Sequence, residues 1–330
     1  MKILVIGAAG MIGRKLVARL AGDGRLGAAT IAQADLVDIV VPAPPPDAPF
    51  PTTCAAVDIA APYVAPKLIA GEPDAIFLLA SIVSGEAEAD FDKGYAINLD
   101  GTRGIFEAIR QRHLFTGGRY RPRVLFTSSI AVFGAPFPAL IDDEFFTTPL
   151  TSYGTQKAIC ELLLADYSRR GFFDGIGLRL PTICVRPGKP NLAASGFFSN
   201  IIREPLAGRP AVLPVSEDVR HWHASPRSAV GFLLHAATMD TSALGARRNL
   251  TMPGVSVTVG EQIEALRRVA GEAPLRLIRR EPDPAIEAIV AGWPRNFDAE
   301  RALKLGFAVE ASFEAIIRNH IDEELGGRPG

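Results

Sequence analysis

The chain has 330 residues, enough for one large domain or two modest ones, and its 48% hydrophobic content can fill a substantial core. Charge is nearly balanced, 35 Lys plus Arg against 36 Asp plus Glu with no long basic run, which argues against a nucleic-acid partner held through its phosphates. Three cysteines (Cys54, Cys160, Cys184) without metal-ligand spacing, no apolar run of about 18 residues and no cleavable signal point away from a disulfide framework, a metal or a membrane span, and toward a soluble, cytoplasmic protein.

Lys2 to Ile6 is a short apolar, β-branched run that predicts one buried strand. Gly7, Gly10 and Gly13 follow at three-residue spacing, and Arg14 to Ala21 reads as a helix. Strand, glycine turn and helix make a dinucleotide-binding opening. Glycine lets the backbone approach a pyrophosphate, and the N–H groups of a helix N-terminus favour its charge. The spacing is Gly-x-x-Gly-x-x-Gly, not the commoner Gly-x-Gly-x-x-Gly, and a tight turn without a ligand is the plain alternative.

Leu36 to Val41 reads as the second strand. Asp38, near its end, is placed to accept hydrogen bonds from the adenosine ribose and to repel the 2′-phosphate of NADP, which selects NAD; Asp35 is the runner-up. Residues 42–51 are too proline-rich for helix or ladder strand and form a surface loop. Thr53 to Ile59 predicts a third strand, with Asp58 able to meet the adenine amino group. Tyr63 to Ala70 reads as helix and Ala75 to Ala80 as a fourth strand. Ligands of open α/β sheets sit beyond the carboxyl ends of the strands, so the loop Ser81 to Glu86 should border the cofactor. A long helix, Tyr95 to His113, and a fifth strand, Arg123 to Ser129, complete five β–α alternations within about 130 residues. That alternation predicts an α/β fold with a doubly wound parallel sheet.

Thr151 to about Arg170 reads as a helix and Gly175 to Arg179 as a sixth strand. Beyond it the pattern is less regular, with helical periodicity at 225–239, 258–271 and 310–325. These stretches predict a smaller, insertion-like C-terminal domain.

Tyr153 and Lys157 stand at i and i+4, on one face of a helix, and Ser129 ends a strand 24 residues upstream. A secondary alcohol gives up its hydride only if its hydroxyl proton is removed. Tyrosine, with a pKa of about 10, is a poor base at neutral pH until a neighbouring cation stabilises its phenolate. Lowering that pKa by about 3 units corresponds to roughly 4 kcal/mol, within reach of a partly desolvated lysine. Ser129, with Ser128 as fallback, would hold the substrate oxygen. Alone, the Tyr–Lys pair occurs by chance on many helices; the glycine turn and the strand-ending serine in the same chain give it weight.

Gly7-x-x-Gly10-x-x-Gly13, Asp58-Ile59, Asn98-x-x-Gly101-Thr102, Ser129-x-x-x-x-Gly134 and Tyr153-x-x-x-Lys157 together resemble the extended short-chain dehydrogenase/reductase family. The resemblance implies a Rossmann domain over 1–180 plus about 225–255, and a discontinuous substrate domain over about 181–224 and 256–330. It implies bound NAD, with Met11 and Ile12 along the pyrophosphate and Leu79 and Ala80 packed on the cofactor. Asn98 would support the lysine, and Pro181, Thr182 and Ile183 would touch the nicotinamide. It also implies a homodimer in which Tyr95–His113 and Thr151–Arg170 of each subunit form a four-helix bundle.

Ile130 and Ala131 after Ser129 move no proton, which disfavours a nucleotide-sugar dehydratase. A non-catalytic cofactor sensor would be expected to lack the tyrosine or lysine. A nucleotide-sugar epimerase stays open as the alternative to a dehydrogenase of a small polar substrate. Arginines crowd the segment Thr182 to Arg227, where Arg186 and Arg220 are the candidates to clamp a carboxylate. The string Leu180 to Asn191, with Ala194 to Asn200 and Ile201 to Leu206, is similar to a branch of the family that oxidises the C2 hydroxyl of D-erythronate with NAD. By that resemblance Tyr153 takes the C2 hydroxyl proton, and Ser84, Ser129 and an arginine hold the substrate. Glu86 is left open between substrate ligand and solvated loop residue.

Overall fold

The structure, a computed structural model, describes residues 1–188 and 194–327; Lys189, Pro190 and Asn191 of the string above lie outside the described residues. The described chain divides into two compact units, 1–132 with 151–179 and 230–250, and 133–150 with 180–229 and 251–330.

The first unit is built on strands β1 (Lys2–Ile6), β2 (Gln33–Asp38), β3 (Thr52–Ala56), β4 (Ala75–Leu78), β5 (Arg123–Ser129) and β6 (Asp174–Leu180). Helices α1 (Met11–Asp23), α2 (Val64–Ile69), α3 (Ser84–Ala89), α4 (Thr102–Phe115) and α5 (Ser152–Arg169) connect them. A short strand at Asn249–Thr251 extends the sheet beside β6, and the remaining order is β6-β5-β4-β1-β2-β3. The pairings of β1 with β2 and β4, of β2 with β3 and of β4 with β5 are parallel. The sheet is therefore a doubly wound Rossmann sheet. Chain order reverses at β1, whose neighbours are β2 and β4, so a crevice for a ligand is expected at the carboxyl ends of β1 and β4. Leu4, Ile6, Ile76, Leu78, Val124 and Phe126 of three strands pack with Ile105, Phe106 and Ile109 of α4 as one core.

Several boundaries differ from the sequence pattern for local reasons. β2 stops at Asp38, because β1 ends at Ile6, the partner of Val37, and the Asp38 side chain accepts the Ile39 N–H at 2.7 Å; Ile39, Val40 and Val41 are exposed. α1 runs past Ala21 to Asp23 and ends where Gly24, at φ +64°, returns its N–H to Leu20. The long helix from Tyr95 opens with a π-helical turn, Tyr95–Gly101, before α4. Of the stretch Ser81 to Glu86, expected as loop, Ser84 to Glu86 open the short helix α3, Ser84–Ala89.

The second unit has a three-stranded sheet of β7 (Thr182–Ile183), β8 (Arg220–Ala224) and β9 (Val255–Thr258), with β8 central. Helix α6 (Gly196–Leu206), α7 (Pro226–Thr238), which runs on into the first unit, α8 (Val259–Ala270) and α9 (Phe313–Glu324) follow in the chain. Phe197, Phe198, Ile201 and Ile202 of α6 meet Ile263 and Leu266 of α8 and Ile316 and Ile317 of α9 in its core. Phe133–Leu150, assigned to the first domain from sequence, clusters here: Ile141 bridges Phe297, and Asp143 accepts the Thr251 N–H at 2.8 Å.

Candidate active site

The glycine turn leaves β1 with Gly7 and Ala8 both donating to the Val37 carbonyl, at 2.8 and 3.1 Å. Gly7 has φ +97°, and a Cβ there would lie 2.5 Å from the Ala80 nitrogen; one on Gly13 would lie 2.1 Å from the Gly7 oxygen. Neither position tolerates a side chain, so the turn is a cradle that only glycine permits. The first-turn N–H groups of α1, including those of Met11 and Ile12, emerge at this cradle with no acidic side chain in that turn. Leu79 and Ala80, just beyond β4, both donate to the Ile6 carbonyl and form the wall facing Gly7.

Asp38 ends β2 with Oδ2 accepting the Ala9 N–H at 2.9 Å and Oδ1 that of Ile39. Asp35 lies mid-strand, between Leu4 and Thr53, and accepts from Gln33 at 3.0 Å. The residue at the carboxyl edge is thus Asp38. Asp58 closes a turn by accepting the Ala60 N–H at 2.9 Å, while the Ile59 side chain belongs to the core and fills the space over Gly101.

On the other side of β4, the carboxyl end of β5 brings Ser129 next to the start of α5. Thr151 caps that helix by accepting the Gly154 N–H at 3.0 Å, and Glu88 of α3 accepts the Ser152 N–H at 2.7 Å. Tyr153 is half-buried; Lys157 is buried, its Nζ 5.6 Å from the centre of the Tyr153 ring and donating to the Thr127 carbonyl at 2.9 Å. Burial pushes the Lys157 ammonium down to about 8, against the smaller opposing pull of Cys160 and Glu161. Ser129 Oγ accepts the Ala131 N–H at 3.1 Å, which leaves its proton to donate. Ser128 faces the other way: it donates to Glu161 at 2.6 Å, and Glu161 is gripped by Arg179 through Nε and Nη2. Of the two serines, Ser128 is committed to the buried Glu161 carboxylate of α5, and Ser129 keeps a hydroxyl proton to donate.

Asn98 sits in the π-helical turn and receives the Ser81 hydroxyl and the Ile82 N–H on Oδ1, both at 2.9 Å. Its NH2 goes to Gln156, the neighbour of Lys157, at 2.7 Å, so it reaches the helix turn that carries Lys157 through Gln156. Ser84 opens α3 beyond this segment and is half-buried. Glu86 is in a surface ion pair with Lys93 at 2.6 Å.

In the second unit Thr182 pairs in register with His223, and its hydroxyl lies 2.7 Å from His221 Nε2; Pro181 and Ile183 flank it. Arg186 donates to the Ile183 carbonyl at 3.0 Å and the Ser195 hydroxyl at 2.9 Å. Arg220 donates to the Ser256 carbonyl at 3.0 Å and pairs with Glu261 at 3.1 Å. Gln156 and Glu161 were given no role from the sequence. The available signal for Glu161 was a charged residue four positions after Lys157 on an otherwise apolar helix face.

A parallel sheet with a glycine cradle at its switch point and a Ser–Tyr–Lys set across β4 defines a nicotinamide-dinucleotide oxidoreductase of the short-chain type. Residues 3–233 match the NAD dependent epimerase/dehydratase family, and the chain belongs to it; NAD is its cofactor. The chain is 45% identical over 327 residues to D-erythronate dehydrogenase from Cupriavidus necator, with 98% of each chain covered. It is 43% identical to D-erythronate dehydrogenase from Haemophilus influenzae, covering 98% of this chain and 100% of that one. A solved structure of a nucleoside-diphosphate-sugar epimerase from Agrobacterium tumefaciens superposes with a TM-score of 0.97 at 64% identity, covering 100% of this chain and 96% of that one. An L-threonine dehydrogenase from Cupriavidus necator shares the fold at 22% identity, with a TM-score of 0.82, covering 98% of this chain and 99% of that one. Among the described residues no helix is long and apolar enough to cross a membrane, and no group of three His, Cys, Asp or Glu side chains is placed to hold a metal ion.

Proposed function

We propose that this NAD-dependent oxidoreductase oxidises the C2 hydroxyl of a small sugar acid, with D-erythronate to 2-dehydro-D-erythronate as the best-supported pair. The observation that carries the reading is the placement of Ser129, Tyr153 and Lys157 around one carboxyl edge of the sheet, in a chain similar over its full length to two D-erythronate dehydrogenases. NAD, when bound, accepts the hydride that leaves the alcohol carbon. Tyr153 as phenolate takes the hydroxyl proton, and the adjacent Lys157 charge favours that phenolate. Ser129 donates to the substrate oxygen, which gains negative charge as its proton departs.

The cofactor residues in this reading are Gly7, Gly10, Met11, Ile12 and Gly13 at the pyrophosphate, Asp38 at the ribose, and Asp58 and Ile59 near adenine. Leu79, Ala80, Asn98, Tyr153, Lys157, Pro181, Thr182 and Ile183 complete the set. Ser84 and an arginine hold the acid. The candidates are Arg186, which donates to the Ile183 carbonyl and the Ser195 hydroxyl, and Arg220, which is paired with Glu261. The first unit serves as the NAD domain and the second as the substrate domain. The enzyme is read as cytoplasmic, in keeping with three cysteines that form no disulfide, and as a homodimer through the helices from Tyr95 and Thr151. Phe115 and Leu162, 80% and 69% exposed on α4 and α5, support such an interface.

A second reading, a nucleotide-sugar epimerase, is favoured by the name of the 64%-identical structure. The two readings separate in a screen for NADH production over four- to six-carbon aldonates, uronates and UDP-sugars. Net NADH from D-erythronate is expected. Activity confined to UDP-sugars would overturn the sugar-acid assignment.

A further inference from the structure

Gln156 is fully buried on the catalytic helix, one residue before Lys157, and its place in a directional chain of hydrogen bonds follows from the backbone. The Ile82 N–H can only donate, so the Asn98 side-chain atom 2.9 Å away is the oxygen. The other terminal atom of Asn98 is then the NH2, and the Gln156 atom 2.7 Å from it must be the carbonyl oxygen. One turn along α5, the Cys160 thiol donates to the Asn98 carbonyl at 3.3 Å. Gln156 and Cys160, four residues apart on one helix face, thus hold the side chain and the backbone of a single residue. That residue lies in the π-helical turn, a geometry that recurs at functional sites.

The space for the Gln156 amide is made by Gly94, where a Cβ would come within 2.7 Å of Nε2. Lys157 is held elsewhere, by the Thr127 carbonyl. What the Gln156–Asn98 pair reaches instead is the Ser81 hydroxyl and the Ile82 N–H, the latter two residues before Ser84.

We propose that Gln156 is a positioning residue that ties the catalytic turn of α5, through Asn98, to the segment Ser81–Ser84, and so sets the place of Ser84 for the sugar acid. This role rests on the reading of Ser84 as a substrate contact. Because the chain of bonds bypasses Lys157, its loss acts on substrate affinity and leaves the acid–base chemistry in place.

The test compares Gln156→Met, which removes the acceptor at similar volume, with Gln156→Glu, which keeps an oxygen toward Asn98. Amide hydrogen exchange of the full chain without NAD should quicken about tenfold at 81–84 in Gln156→Met, with β5 unchanged. KM for the sugar acid should rise about tenfold, while the pH profile of kcat stays in place. Gln156→Glu should restore slow exchange and low KM. Gly94→Ala, which displaces the amide without deleting it, should act in the same direction as Gln156→Met and serves if that variant does not fold. Unchanged exchange at 81–84 would overturn the tether. Faster exchange with an unmoved KM would remove Ser84 from the substrate site and this role with it. A shifted pH profile at constant KM would assign Gln156 to Lys157 instead.

Discussion

The carboxylate of Asp38 accepts the backbone N–H of Ala9 at 2.9 Å, which locks the acidic end of β2 against the glycine turn. Both oxygens are oriented by main-chain donors, the second by Ile39, and each keeps a lone-pair direction for a ribose hydroxyl. Charge and anchoring can therefore be separated. Asp38→Asn keeps an oxygen for one amide and loses the charge that repels a 2′-phosphate. It should narrow the preference for NAD over NADP by about tenfold or more, whereas Asp38→Ala should also weaken NAD itself. Titrations of both cofactors against the two variants measure this. An unchanged preference would move the role to another residue.

The cradle makes a prediction of its own. A methyl at Gly13 would sit 2.1 Å from the Gly7 carbonyl oxygen, whereas one at Gly22, in the same helix, would meet nothing within 4 Å. Gly13→Ala should lose NAD binding and about 1–3 kcal/mol of stability through overpacking. Gly22→Ala should gain up to about 1 kcal/mol from helix propensity and bind NAD normally. Thermal unfolding with and without NAD distinguishes them, and equal behaviour of the two variants would contradict the cradle geometry.

The parts of the site legible in the sequence are those set by local spacing. The glycine turn follows its strand directly, and Tyr153 and Lys157 share a face because four residues make about one helical turn. The link between Asn98 and Gln156 spans 58 residues and leaves no periodic trace. α6 was unreadable for a different reason: it contains Pro205, and its helical state rests on burying Phe197, Phe198, Ile201 and Ile202. α3 was hidden by its Ser-Gly-Glu-Ala-Glu-Ala composition, which shows no apolar stripe. The chain beyond Leu180 forms elements of two to four residues as often as longer ones, and strands that short carry no readable alternation.

Ser128 and Ser129 are adjacent but have different partners, so the roles proposed for them can be tested apart. Ser128→Ala removes a 2.6 Å bond to the buried Glu161 carboxylate. It should cost about 1.5–3 kcal/mol of stability while kcat stays near wild type. Ser129→Ala should leave the melting temperature nearly unchanged and lower kcat by about 100-fold. The reverse pattern would make Ser128 the substrate-facing hydroxyl.

Tyr153→Phe keeps the ring that stands 5.6 Å from the Lys157 ammonium and deletes only the hydroxyl. Cofactor affinity should stay within a few-fold of wild type, and kcat should fall by about 100- to 10,000-fold, the range for removal of a general base. Near-normal turnover in this variant would eliminate the proposed base. Loss of NAD affinity equal to the loss in kcat would mark the residue as a binding group.

His221 makes the fold of the second unit sensitive to acid. Its Nδ1 lies 3.0 Å from the Pro294 carbonyl and so must donate, which makes Nε2 the acceptor of the Thr182 hydroxyl at 2.7 Å. A proton on Nε2 would reverse that bond, with the Thr182 hydroxyl accepting, and place a charge between Phe198, stacked at 5.1 Å, and Trp293 at 5.3 Å. Burial accordingly drives the His221 pKa from 6.5 to about 4, and His223 is pushed the same way by burial and by His221 itself. Between those values the unfolded chain binds a proton that the folded chain refuses. Stability is therefore complete above 6.5 and declines as pH falls toward 4, by an amount on the order of 3 kcal/mol for His221. His221→Gln, which cannot be protonated, should lower stability at neutral pH yet show a flatter fall in melting temperature between pH of about 7 and 4.5 than wild type. Carboxylates titrate in the same range in both proteins, so the difference between the two curves reports His221 together with its effect on His223, and parallel curves would show that His221 is not the group that charges.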